Sequence, residues 1–130
     1  MKKLCTFLCT FALTSLVALA GEKFPAISTD ELKQAIAEKK VTLLDVNGSD
    51  SYKAGHIPGA LDFASTKADL AAKLPADKGA LVVAYCGNEH CGAYAAAAAK
   101  AKELGYTNVK HFSGGIAGWK KAGEKTQPGT

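Results

Sequence analysis

The 130-residue chain carries 16 basic and 12 acidic residues, and every basic residue is a lysine. That balance argues against a nucleic-acid surface, and the length allows one domain with its own core.

Residues 1–20 read as a signal peptide. Met1-Lys2-Lys3 is a short positive head, and Leu4 to Leu19 is apolar apart from small hydroxyl residues and Cys5 and Cys9. Ala18-Leu19-Ala20 has the small-x-small form of a cleavage site. The apolar stretch falls short of the roughly 20 residues that a spanning helix needs. Cleavage after Ala20 leaves residues 21–130, with 14 lysines against 12 acids. The expected product is exported, periplasmic or secreted, with no membrane or lipid anchor.

Residues 21–26 form a short N-terminal segment, and a single domain is expected over 27–122. Ser28-Thr29-Asp30-Glu31 has the form of a capping box, and Leu32, Ala35 and Ile36 recur at helical spacing, so a helix is expected over 29–39. "VTLLDV" (41–46) suits a strand buried on both faces. "GHIPGALDF" (55–63) contains turn residues, then a short strand from Ala60 to Phe63. A helix over 66–74 ends at Pro75, and "ALVVAYC" (80–86) is a second buried strand. An alanine-rich helix from Gly92 to Leu104 stops at Gly105. "NVKHF" is a further strand, Gly114-Gly115 a turn, 116–122 a last helix and 123–130 a loose tail. Strands alternating with helices point to an α/β layer with a mostly parallel sheet, in which ligands bind at the carboxyl ends of strands.

Cys86 stands at such an end, immediately before a helix, in "YCGNEHCGAY". Loop N–H groups and a helix start make an anion cradle, and a thiol at its base is expected to ionise readily. Gly87 and Gly92 are expected to let the backbone bend or approach a ligand. The bland alternative is a small buried cysteine at a strand end.

"LLDVNGSDSYKAGHIPGALDF" (43–63) and "VVAYCGNEHCGAYAAAAAKAKELGYTNVKHFSGGIAGW" (82–119) together resemble a single-domain rhodanese. The resemblance runs from about Ile27 to Lys121. It implies a rhodanese-like α/β fold with a five-stranded, largely parallel sheet and helices on both faces. It also implies sulfur transfer through a persulfide on Cys86, without a cofactor. Gly87, Asn88, Glu89, His90, Cys91 and Gly92 would then hold the sulfur and its anionic donor.

Two departures matter. Many members of that family carry arginines where this chain has Asn47 and Cys91, and Glu89 adds a negative charge to the loop. An oxyanion loses its two-pronged grip, so thiosulfate does not follow as the natural donor. Phosphatase chemistry on a Cys-x5-Arg loop is excluded, because Gly92 stands at the arginine position.

Three readings stay open for Cys91: a resolving thiol that forms a disulfide with Cys86, a small residue packed under the loop, or a soft-metal ligand with Cys86 and His90. His56 is read as tying down its turn, Asp45 as ordering a neighbouring loop, and His90 as a candidate for tuning Cys86. His111 is expected on the surface of its strand, and Phe112 and Trp119 in the core. The expected function is an exported sulfurtransferase acting on a small sulfur donor and a thiol, cyanide or sulfite acceptor. The alternatives are a Cys86/Cys91 dithiol redox protein, or a non-enzymatic sulfur or metal carrier, each working with an exported partner.

Overall fold

The computed structural model describes residues 24–129, so the leader with Cys5 and Cys9 lies outside the described residues. Among the described residues, no helix is long and apolar enough to cross a membrane.

Four parallel strands, β1 (Val41–Asp45), β2 (Leu61–Asp62), β3 (Leu81–Tyr85) and β4 (Val109–His111), form a sheet in the order β2-β1-β3-β4. The centre of the sheet is the long register of β1 on β3, from Val41 opposite Leu81 to Asp45 opposite Tyr85. Both are the apolar runs that the sequence marks as doubly buried. Alternation along each strand sends Leu44, Val82 and Ala84 to one face and Leu43, Val83 and Tyr85 to the other.

On the first face lie α3 (Phe63–Thr66), α4 (Leu70–Lys73) and α5 (Tyr94–Glu103). Their Leu70, Ala97, Ala98 and Ala101 close the core with Tyr106. Alanine lets α5 approach the sheet closely. On the second face, Leu32 of α1 (Thr29–Ala37) and Trp119 of α6 (Gly115–Lys121) pack with Ile57 and Phe112. The capping box at Ser28 is complete: Glu31 N donates to Ser28 Oγ at 3.2 Å, and Ser28 N donates to the Glu31 carboxylate at 3.0 Å.

Among the described residues the sheet has four strands where five were expected. At the outer edge of β4, a single parallel bridge joins Ala26 to His111. His111 N donates to Pro25 O and Ile27 N to His111 O. Pro25 has no N–H to extend the ladder, and Ser28 already caps α1, so the segment has no room to become a strand.

The helix expected over 66–74 is two short helices. Asp62 ends β2 and caps α3, accepting from Ala64 N at 3.1 Å, while Ser65 and Thr66 hydroxyls donate to its carbonyl. These local bonds start the helix earlier and break it before Leu70.

A further helix, α2 (Ser49–Ala54), occupies a stretch with no expected element. It has no buried residue, hence no apolar period to announce it. Ser49 Oγ donates to Asp62 Oδ2 at 2.5 Å and anchors its start to the end of β2.

The tail from residue 123, expected to be loose, returns to the domain. Gln127 and His56 exchange two backbone hydrogen bonds of 2.9 Å, Gly129 N donates to Lys53 O, and Trp119 Nε1 donates to Lys125 O at 2.8 Å. Gly129 sits so close to Lys53 that an added Cβ would lie 2.9 Å from its Cα.

Candidate functional site

The site lies beyond the carboxyl ends of β1 and β3. Cys86 follows directly on β3 and is 1% exposed. The chain then turns through Gly87 to Gly92 before α5 begins. Inside this loop Asn88 is the organiser: its side-chain oxygen accepts from His90 N at 2.9 Å and its carbonyl from Cys91 N at 3.2 Å. The turn brings Cys91 back to Cys86, with their Cα atoms 6.2 Å apart and the two joined as a disulfide. Cys86 Sγ also lies 3.2 Å from the Cys91 carbonyl oxygen.

The loop rests on α6. Ile116 N donates to Cys86 O and Ala117 N to Gly87 O, both at 2.9 Å. Such an approach of helix backbone to loop backbone is possible because residue 115 is glycine. It has φ of +61°, and a Cβ there would run into the Cys86 carbonyl and the Gly87–Asn88 peptide. Gly87 and Gly92 do not have this role: neither has positive φ, and a Cβ on Gly92 would meet nothing within 4 Å. The glycine that the site requires is therefore in the Gly114-Gly115 turn rather than in the cysteine loop. The double glycine was the visible signal, but its contact partner was not.

Under the loop, Asp45 is buried at the end of β1, with Oδ2 accepting from the Tyr85 hydroxyl at 2.6 Å and Oδ1 from Asn47 N at 2.8 Å. Tyr85 in turn accepts from Ile57 N at 3.0 Å. Burial first, and then the bond to Asp45, hold the Tyr85 hydroxyl far above its ordinary ionisation range. Asp45 thus orders the loop after β1, as its structural reading has it. His56 ties down its own turn, with Nδ1 2.9 Å from Tyr52 O and its ring stacked on Tyr52.

The remaining histidines sit differently. His90 is at the exposed loop tip, its ring nitrogen 3.6 Å from Glu89, and no hydrogen bond joins it to Cys86 among the described residues. His111, expected on the surface of its strand, is half-buried: its ring stacks on Tyr94, with centroids 3.3 Å apart, and its Nε2 is buried without a partner. Burial lowers its pKa. Phe112 and Trp119 are buried core residues, in edge contact at 6.3 Å. Among the described residues, no three His, Cys, Asp or Glu side chains come together to hold a metal ion.

Two clefts flank the loop. One, of about 340 Å³, is lined by Asn88, Glu89 and His90 against Ala117 and Lys121. The other, of about 350 Å³, lies between α2, Gly87 and α6, with Asn47, Ser51 and Lys120 on its walls.

The fold and the sequence have relatives. Residues 28–122 match the rhodanese-like domain. A curated relative, the HTH-type transcriptional regulator Rv0324 of Mycobacterium tuberculosis, is 36% identical over 104 residues, which is 79% of this chain and 45% of that protein. The chain thus spans less than half the length of this relative. Among solved structures, the BH2092 protein of Bacillus halodurans is 26% identical with a TM-score of 0.63, over 80% of this chain and 77% of its own. The Escherichia coli 3-mercaptopyruvate sulfotransferase SseA shares the fold at 18% identity and a TM-score of 0.67, covering 83% of this chain and 52% of its own. On the match over residues 28–122, the chain belongs to the rhodanese-like family.

Proposed function

We propose that this chain is a sulfurtransferase in which Cys86 takes up a sulfane sulfur as a persulfide and Cys91 resolves it. The observation that carries this reading is the position of Cys86: buried at the carboxyl end of a central strand, at the base of a loop that returns a second cysteine to it. Membership of a family whose structural neighbours include sulfurtransferases supports it. The Gly87–Gly92 loop is the proposed binding segment for the sulfur and its donor, and the acceptor is a small thiol, cyanide or sulfite.

The chemistry has two steps. The Cys86 thiolate attacks the sulfane sulfur of the donor, forming an Sγ–S bond while the donor's S–S bond breaks and its remainder leaves with the electron pair. An external nucleophile then takes the outer sulfur, or Cys91 does the work itself. In the second route the Cys91 thiolate attacks Cys86 Sγ and the outer sulfur leaves as hydrosulfide. The two cysteines are oxidised to the disulfide as that sulfur is reduced, and an external thiol pair restores them. Placement beside the donor in a low-dielectric base favours both attacks.

A second reading rests on the disulfide: the pair acts as a dithiol redox device without sulfur transfer. In the exported location expected from residues 1–20, an oxidising setting would hold the pair closed until a reducing partner opened it.

The experiment is to reduce the protein fully, add polysulfide or thiosulfate, and record intact mass before and after cyanide. A gain of one sulfur that needs Cys86 and is removed by cyanide is the expected result. Loss of two hydrogens, with no sulfur gained from either donor, would leave only the redox reading.

A further inference from the structure

The geometry points to Cys91 as the sulfur through which the disulfide is opened: we propose that a dithiol reductant attacks Cys91 Sγ, not Cys86 Sγ, and releases Cys86 as the free thiolate. The inference needs only the Cys86–Cys91 disulfide, so it stands whether or not Cys86 carries sulfur.

The two halves of the bond lie at different depths. Cys86 is 1% exposed, between the buried Tyr85 and the half-buried Gly87. Cys91 is half-buried, and Glu89, His90, Gly92 and Ala93 around it in the chain are all exposed. A thiolate must reach the sulfur it attacks in line with the bond that breaks, so exchange depends on access. Cys86 gives none, and the Cys91 carbonyl oxygen, 3.2 Å from Cys86 Sγ, sets an electron-rich atom beside it. The disulfide is electrophilic at both sulfurs but reachable at one.

The backbone fixes this difference. Ile116 N donates to Cys86 O and Ala117 N to Gly87 O, while Gly115 is pressed against the same Cys86 carbonyl. For Cys86 to rise to the surface, these bonds to α6 would have to break. Cys91 N donates within the loop itself, to Asn88 O. Cys91 can therefore yield to an incoming partner without detaching the loop from α6.

The exchange balances in two steps. The reductant's first thiolate attacks Cys91 Sγ, a new S–Sγ bond forms as the Sγ–Sγ bond breaks, and Cys86 leaves with the electron pair. The reductant's second thiolate then attacks the reductant's own sulfur in that mixed disulfide, and Cys91 leaves with its electron pair. Two electrons pass from the dithiol, now a disulfide, to the cysteine pair. A single thiol serves poorly. Cys86, with its Cα 6.2 Å from that of Cys91, attacks Cys91 Sγ at an effective concentration of about millimolar and expels the thiol again.

The test uses the full oxidised chain with no sulfur donor present, so its outcome is independent of sulfur transfer. The protein is exposed briefly to 2-mercaptoethanol, quenched in acid and capped with N-ethylmaleimide. Fragmentation mass spectrometry then reads each cysteine, keeping Cys5 and Cys9 apart from the pair. The thiol adduct is expected on Cys91 and the maleimide on Cys86, with the reverse pattern at least about tenfold rarer. Concentrated urea should erase this preference, since burial is its cause. At equal thiol of about 0.1 mM, below the effective concentration of Cys86, dithiothreitol should open at least about tenfold more of the pair than 2-mercaptoethanol. An adduct mainly on Cys86, equal labelling of the two sulfurs in the folded protein, or opening with no Cys91 adduct at any time would overturn the assignment of Cys91. A preference that survives urea would overturn burial as its cause, and equal opening by the two reagents would overturn the dithiol class.

Discussion

The Tyr85 hydroxyl donates a 2.6 Å hydrogen bond to Asp45, joining the ends of the two central strands beneath the cysteine loop. Tyr85 is fully buried and Asp45 nearly so, and the Tyr85 oxygen accepts from Ile57 N. The sheet thereby carries a polar clamp at its carboxyl edge, next to Cys86. One partner orders the loop after β1 through Asn47, and the other ends one residue before Cys86.

Removing the hydroxyl should be costly. Tyr85→Phe leaves a carboxylate oxygen and the Ile57 N–H buried without partners, and each unsatisfied group costs about 1–3 kcal/mol. The expected loss of stability is about 2 kcal/mol or more, measured by urea unfolding with an unchanged m-value. A loss below about 0.5 kcal/mol would mean that the clamp contributes little.

Gly115 gives a second prediction. Alanine there meets both a left-handed backbone and the peptide atoms of Cys86 to Asn88, which are not free to yield. Gly115→Ala should lose about 1–2 kcal/mol from the backbone conformation alone and more from the displaced loop. Reoxidation of Cys86 with Cys91 should slow in step. Gly118→Ala is the control: position 118 has open space and no positive φ, so its stability should hold or rise by about 0.4–1 kcal/mol. Equal unfolding midpoints for the two variants would remove the close-approach argument.

These two positions show what the sequence could reveal. β1 and β3 were legible because "VTLLD" and "LVVAY" are apolar runs that nothing but a central strand uses well, and α1 because Ser28 and Glu31 close a capping box. Cys86 was legible as the residue between such a strand and an alanine-rich helix. The clefts were not. One wall of the cleft beside Gly87 is α2, a helix with no buried residue, and another is set by how α6 docks through Gly115. Long-range backbone contacts of that kind leave no periodic trace. The tail was misjudged for a related reason. Its polar composition suggests looseness, yet its anchors are backbone bonds to His56 and Lys53, to which any side-chain pattern is blind.

His111 makes stability depend on pH. Burial depresses its folded-state pKa below the usual 6.5, so the unfolded chain binds more protons as pH falls through that value. Stability should therefore be full above about pH 7 and decline as the pH drops through the unfolded pKa towards the lower folded one. Its Nε2 faces no acceptor that could receive the added proton, and the ring is stacked on Tyr94 at the start of α5. His111→Phe should flatten this part of the profile. The measurement is the urea midpoint at half-unit steps from pH 5 to 8, and an unchanged slope in His111→Phe would place the acid sensitivity elsewhere.

Cys91 decides between release by an outside nucleophile and release from within. The turn organised by Asn88 holds the cysteines 6.2 Å apart at Cα, inside the range a disulfide spans, so attack of Cys91 on a Cys86 persulfide needs no rearrangement of the domain. Once reduced and loaded, the parent protein should release about one hydrosulfide per chain without added thiol and end as the disulfide. Cys91→Ser should load equally, keep its extra sulfur for far longer, and still surrender it to cyanide. Methylene blue detection of sulfide, alongside intact mass, reads both halves of the balance. Equal sulfide release from Cys91→Ser and the parent would show that Cys91 is a packing residue, and that the sulfur leaves Cys86 only to an external acceptor.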